Sequence, residues 1–217
     1  MGAIASCGGE LGEMSRSKKK TRMLFPPDVF NERVSAFVEA FYAGLKEDFE
    51  KRGWPWAGPL RSEAGWSHPE LDVSFPGHYE DGAIKRIKVH FKRLPGTVGL
   101  QGTHPDLVWE HVVEIALPRE YPANLNAIKF AFVTRIFHPR VSISGTGTAC
   151  VVVNGDIDRV ITNIKEQILL NPAVVMPPSL FGTTDHGNNY AAMVWYERDP
   201  HGIHRMLVRE WEEAHGG

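Results

Sequence analysis

The chain has 217 residues, 42% hydrophobic and 23% charged, which are ordinary values for a globular protein with length enough for one substantial core. A formal net charge of -2 supplies no basic field for a phosphate backbone, and no apolar run reaches the roughly 18 residues of a membrane-spanning helix, so neither nucleic acid nor membrane is expected as a partner. The two cysteines, Cys7 and Cys150, suit free thiols in a reducing cytoplasm better than a disulfide framework.

Residues 1–22 are rich in Gly, Ser and Lys and read as a disordered tail, with Arg16, Lys18, Lys19, Lys20 and Arg22 as a solvated basic run. The opening MGAIAS fits a short myristoylation pattern that is common by chance. Residues 23–217 read as one domain. Its first element is a helix that opens on Pro26 and Pro27, carries Asp28 near the positive end of its dipole and stops at Gly53. Phe30, Val34, Phe37, Val38, Phe41 and Leu45 recur at spacings of three and four, an apolar face that should lie on a sheet.

Trp54, Trp56 and Trp66 sit among prolines and glycines between Gly53 and Pro69, which reads as a folded connection with aromatic anchors; a tryptophan-lined ligand groove is the alternative. Strand patterns follow in LDVSF, IKVHF, VWEHVVEIAL and IKFAFV. Asp81-Gly82, Pro95-Gly96 and the Pro105 region serve as turns, and no long helical pattern intervenes. Four consecutive strands without crossover helices predict an α+β fold, a four-stranded antiparallel meander half covered by the first helix. Beyond Cys150 the period becomes helical. Val160, Ile161, Ile164 and Ile168 mark one helix ending at Asn171-Pro172, and two shorter ones follow, broken at Asp199-Pro200.

The chemistry converges on Leu117 to Cys150. Gly145, Gly147, Thr146, Thr148 and Ala149 let the backbone approach something closely, and Cys150 ends that stretch. A thiolate is both nucleophile and leaving group, so a lone positioned cysteine suits acyl transfer through a thioester. The alternative is a buried cysteine acting as a small hydrophobe, because Val151, Val152 and Val153 follow it. Of the ten histidines only His201 and His204 show a helical pair spacing, and no set of cysteines or carboxylates completes a site, so neither metal nor cofactor is expected.

The order of elements and several motifs together resemble the ubiquitin-conjugating enzymes over about residues 24–215. Pro118-x-x-Tyr121-Pro122 resembles their PxxYP corner, Ala131 to Pro139 their fourth strand running into a His-Pro-Asn step, Gly147-Thr148-Ala149-Cys150 their Gly-x-x-Cys, and Arg205 to Trp211 the closing helix of several members. The resemblance implies that Cys150 accepts a ubiquitin-like modifier from an activating enzyme as a thioester and passes it to an amine or hydroxyl of a protein substrate. It gives His138, with Pro139, Tyr121 and Gly147, a structural part around the site. Asp156, Asp158, Asp185 and His186 are candidates, in loops bordering Cys150, for taking a proton from the incoming nucleophile.

Departures accompany the matches. Arg140 stands where the family has an amide that supports the oxyanion; it either donates to that charge or caps the loop or faces solvent. Two residues are inserted before the cysteine, Asp158 replaces a tryptophan, and the PNP-type segment is echoed only by Asn171-Pro172 and Met176-Pro177-Pro178. The first helix is rich in glutamate, with Glu32, Glu39, Glu47 and Glu50, where typical members present a basic face to their activating enzyme. These point to a divergent branch of the kind found in bacterial ubiquitin-like conjugation systems, where a deconjugating metallopeptidase shares the pathway. Two other readings stand beside an active conjugating enzyme: a catalytically silent relative that binds a ubiquitin-like protein or a partner, and a cysteine hydrolase using Cys150 with His186 and Asp185.

Overall fold

The computed structural model describes residues 25–121, 128–149, 155–175 and 189–216. The expectations for the tail, Pro122, Cys150 and the three valines after it, Met176-Pro177-Pro178, Asp185 and His186 lie outside the described residues. Helix α1 (Pro27–Lys51) begins with proline in its first turn, where a missing N–H costs no hydrogen bond, and carries Asp28 at its start and Lys51 at its end. The chain leaves it through Gly53, at φ 71°, a left-handed conformation that suits glycine. Phe30, Val34, Val38, Phe41, Leu45 and Phe49 form one buried stripe, joined by Tyr42, whose hydroxyl donates to Leu71 O at 3.0 Å. Phe37 is only partly buried.

Seven antiparallel strands make the main sheet, in the order β1 (Leu60–Ser62), β2 (Gly65–Ser67), β3 (Leu71–His78), β4 (Ile84–Phe91), β7 (His111–Ala116), β8 (Lys129–Phe132) and β9 (Gly147–Thr148). Between β4 and β7 the chain makes a separate two-stranded sheet from β5 (Gly96–Gln101) and β6 (His104–Val108). The expected four-stranded sheet is therefore corrected in two respects. Short strands extend it at both edges, and Pro95-Gly96 and Pro105 belong to the extra hairpin instead of forming plain turns. The expected strand from Val108 to Leu117 is broken at Trp109-Glu110, where β6 has ended and β7 has yet to begin. Asp81-Gly82 does turn the chain between β3 and β4, with Gly82 at φ 85°.

One face of the sheet is sealed. Val73, Ile87, Val89, Val113, Ile115, Phe130 and Phe132 are all buried, while Ser74, Lys88, Glu114 and Ala131, pointing the other way, are half-buried. Helix α2 (Ile157–Ile168) packs on α1 and buries Ile157, Val160, Ile161, Ile164 and Ile168. Tyr121 sits between the helices and the sheet, edge-on to Phe30 and Phe37 at 6.0 and 6.4 Å. Helices α3 (Tyr190–Arg198) and α4 (Pro200–Gly216) close the chain, with Asp199 Oδ1 accepting from Gly202 N at 2.8 Å ahead of α4.

The aromatic connection after α1 packs as satellite structure. Trp54 meets Trp211 edge-on at 5.1 Å and stacks on His215 at 4.8 Å, and Trp56 stacks on His68 at 4.3 Å, around a cavity of about 410 Å³. Arg52 bonds Glu212, Glu70 meets the His215 ring at 2.6 Å, and Arg93 donates to Ala214 O at 2.6 Å, so α4 is fastened to the end of α1 and to the start of β3.

Gly96 is where the extra hairpin presses closest. A Cβ there would lie 2.5 Å from His111 Nε2 and 2.9 Å from Ile168 Cγ2, both buried. Gly96→Ala is expected to lower unfolding free energy by about 1–3 kcal/mol, as overpacking of a filled core does. Urea denaturation measures it, and an unchanged midpoint would contradict the close approach.

Candidate active site

The segment that ends on the candidate nucleophile leaves β8 and returns to it. Phe137 is strapped to β5: its N–H donates to Thr97 O at 2.6 Å and its carbonyl accepts from Thr97 Oγ1 at 2.9 Å. His138, Pro139 and Arg140 follow, all buried, and Val141 N closes a turn onto His138 O at 3.2 Å. The loop then folds back on its own entry through Ile136 N to Gly145 O at 2.8 Å. Gly145 allows this contact because its φ is 74° and a Cβ would lie 2.8 Å from Ile136 O. Ser142 Oγ ties the far side of the loop to Thr146 O at 2.7 Å. Gly147, at φ 101°, stands opposite Phe132 and Thr148 opposite Ala131, and Ala149 N donates to Phe130 O at 3.2 Å. The next residue in the chain is Cys150.

The proton positions around His138 follow from its contacts. Its ring is 0% exposed, and Nδ1 accepts the Arg140 backbone N–H at 3.0 Å, which makes the proton-bearing nitrogen Nε2. Burial pushes the imidazole down to about 3; hydrogen bonding toward Gln167 opposes that shift and the Arg140 charge reinforces it. A neutral, sealed ring of this kind holds a turn and is out of reach of an entering nucleophile.

Arg140 is 6% exposed, which removes the expected solvent-facing alternative for this side chain. Tyr121 is buried with its hydroxyl close to the start of α2; burial first, then the negative charge of Asp156, raises its proton affinity. Asp156 directly precedes α2 and makes no side-chain cap. Asp158 lies in the first turn of α2 and not in a loop, a correction to its expected placement. It lines the groove between α1 and α2 with Phe41, Asp48 and Lys165, and its Oδ1 is buried without a hydrogen-bond partner among the described residues. His138, Pro139 and Arg140 thus share the loop that enters β9 at Gly147, Asp156 and the Tyr121 hydroxyl lie at the start of α2, and Asp158 turns toward α1.

Two buried residues that frame this region were not singled out from the sequence. Gln167 is 0% exposed on α2, and its signal was a polar residue on the apolar stripe of Val160, Ile164 and Ile168. Thr97 holds Phe137 from a hairpin that has no long alternating pattern. His201 and His204 form no metal site with a third ligand among the described residues, and His204 Nδ1 lies 2.9 Å from Leu169 O.

No family model matches the chain. Among curated proteins, the Ubiquitin-conjugating enzyme E2-22 kDa of Drosophila melanogaster is 28% identical over 117 residues, 52% of this chain and 54% of that protein. The chain therefore spans about half the length of the curated relative it matches. This likeness supports a divergent, ubiquitin-conjugating-enzyme-like family for the chain, and the α+β architecture with its large antiparallel sheet is compatible with that fold. Among the described residues no helix is long and apolar enough to cross a membrane.

The sealed histidines set an acid limit on the fold. Burial holds His138 down to about 3 and His111 down to about 4, against 6.5 for an ordinary imidazole. The unfolded chain binds protons that these native rings refuse. Their share of stability is therefore whole above pH 6.5 and falls as pH drops toward the native values, by about 1.4 kcal/mol per pH unit for each ring. Unfolding free energy measured between pH 6.5 and 5 should fall less steeply in His138→Gln than in the parent, by about one proton's worth of slope. Equal slopes would mean that His138 is already charged in the native protein.

Proposed function

We propose that the chain is a thioester-forming conjugating enzyme for a ubiquitin-like modifier. In this reading the Cys150 thiolate attacks the carbonyl of the modifier's C-terminal thioester on an activating enzyme. A new C–S bond forms at Cys150, the old one breaks, and the activating enzyme's thiolate leaves. An amine or hydroxyl of a protein substrate then attacks the same carbonyl, gives up its proton and displaces the Cys150 thiolate. The observation that supports the reading is the edge pairing of Gly147 and Thr148 with β8, continued by Ala149 N to Phe130 O, which fixes the chain up to the residue that precedes Cys150 in the sequence. The likeness to a conjugating enzyme supports the same class.

Arg140 is assigned to the oxyanion that forms during each transfer. It is buried in the loop leading to Cys150, and a guanidinium donates with a full charge where the amide of the family donates without one. Asp156, Asp158, Asp185 and His186 are the groups proposed for receiving the nucleophile's proton. A deconjugating metallopeptidase belongs to the same proposed pathway, a bacterial ubiquitin-like system acting in the cytoplasm. A second reading, a silent variant that binds a ubiquitin-like protein or partner without bonding to it, draws on the same substitution, because Arg140 occupies the place of the usual amide.

Incubation with an activating enzyme, ATP and modifier separates the two. The parent should give an adduct that reductant removes, Cys150→Ser one that reductant leaves and hydroxide cleaves, and Cys150→Ala none; absence of any adduct across candidate modifiers favours the silent reading. Arg140→Ala should slow transfer from the thioester by about 10²–10³-fold, the usual effect of removing one oxyanion donor. Single-turnover discharge onto an amine measures it, and a rate within about twofold of the parent would withdraw that role from Arg140.

A further inference from the structure

We propose that Gln167 is a positioning residue, clamping the His138-Pro139-Arg140 step onto α2 and thereby setting where Arg140 sits. The inference rests on the function proposed above for its kinetic consequence, although its structural part does not.

His138 and Gln167 are both 0% exposed, so their polar atoms look to the protein itself for partners. Gln167 projects from the buried stripe of α2 and its Nε2 donates to Val174 O at 2.9 Å. That bond fixes the orientation of the amide, because a carbonyl oxygen needs a donor opposite it. The Gln167 Oε1 is therefore the end turned to other groups, and it has no regular hydrogen bond among the described residues. His138 presents the complementary orphan. Its Nδ1 is occupied by the Arg140 N–H, so Nε2 carries the proton, and Nε2 too lacks a regular partner. The two orphans lie in the same interior, both residues being 0% exposed, and the Gln167 side chain and backbone both bear on the protonation of the His138 ring.

Taken together the chain of donors runs from Arg140 N–H to His138 Nδ1, from His138 Nε2–H to Gln167 Oε1, and from Gln167 Nε2–H to Val174 O. Only one tautomer of His138 and one orientation of Gln167 satisfy all of them. An apolar residue at 167 would fill the space but take the side-chain acceptor from Nε2–H, leaving it only the backbone of residue 167, and a buried donor so weakly satisfied drives the loop to move. Arg140 moves with it, because its own backbone N–H is the next link.

The first test needs no activity. In ¹⁵N-resolved spectra of the parent protein, the His138 ring should carry a slowly exchanging proton on Nε2 and none on Nδ1. A proton on Nδ1, or a doubly protonated ring at pH 7, overturns the proposal. The second test uses Gln167→Met, alone and with Arg140→Ala. If Gln167 acts through Arg140, Gln167→Met slows discharge of the thioester onto an amine by about 10–100-fold without changing the acceptor's KM. In the Arg140→Ala background the same substitution then costs less than about twofold. A merely structural role predicts equal losses in both backgrounds and overturns the inference, as does a Gln167→Met variant with parental rates. Should Gln167→Met fail to fold, Gln167→Glu decides: an acceptor kept at 167 preserves the slowly exchanging Nε2 proton of His138, and its loss in that variant overturns the clamp. Absence of any thioester on the parent would defeat the proposed function instead, leaving the spectroscopic result to judge the clamp.

Discussion

A single row of side chains crosses the main sheet from edge to edge. Arg61, Trp66, Val73, Val89, Val113, Phe132 and Gly147 stand opposite one another on six adjoining strand pairs. From Trp66 to Phe132 every member is buried, and each such side chain is worth about 1.5–3 kcal/mol in apolar area removed from water. Sliding any strand by one residue would turn its share of this row out to the open face. The register is therefore held by the core, and Gly147 takes its position at the end of the row. The valines of β3, β4 and β7 thus fix the register in which Gly147, three residues ahead of Cys150 in the sequence, meets β8.

The loop between β8 and β9 solves a second problem. It carries a histidine, a proline and an arginine into the interior, where each polar atom must meet a partner from the protein itself. Much of the answer is local: His138 takes the N–H of Arg140, and Ser142 takes the carbonyl of Thr146. The rest comes from distant elements, with β5 holding Phe137 through Thr97 and α2 facing His138 with Gln167. The extra hairpin is thereby explained as a buttress. It straps the residue ahead of the histidine, and its closest approach at Gly96 is met by the buried ring of His111, the first residue of β7, whose burial holds it neutral.

How far the sequence reached can be judged element by element. Helices α1 and α2 were readable because apolar residues recurred over many turns, from Phe30 to Leu45 and from Val160 to Ile168. The central strands were readable from alternation, which also misled. Val108 and Val113 flank a break at Trp109-Glu110 that the pattern does not register, so β6 and β7 merged into one expected strand. Strands β1, β2 and β9 have only two or three residues, too few to show any period. At the site, Arg140 and His138 were found through motif and order. Whether a side chain faces solvent depends on what packs over it from elsewhere in the chain, which is why the burial of Arg140 and the placing of Asp158 in the α1–α2 groove were not legible. Tyr121 was visible as part of a corner motif, but its edge-on contacts with Phe30 and Phe37 join segments far apart in the chain.

The fastening of α4 has a kinetic corollary. Arg52 and Glu212 are separated by 160 positions, and Glu70 and His215 by 145, so these contacts bring together regions from nearly opposite ends of the described chain. Joining such distant points carries a large entropic toll until the sheet between them has shortened the path. The last helix therefore gains its partners only once the sheet is in place, and its docking depends on strands it does not itself pair with. The cleft under Trp54 and Trp56 is accordingly completed by the far end of the chain, through Trp211, Ala214 and His215.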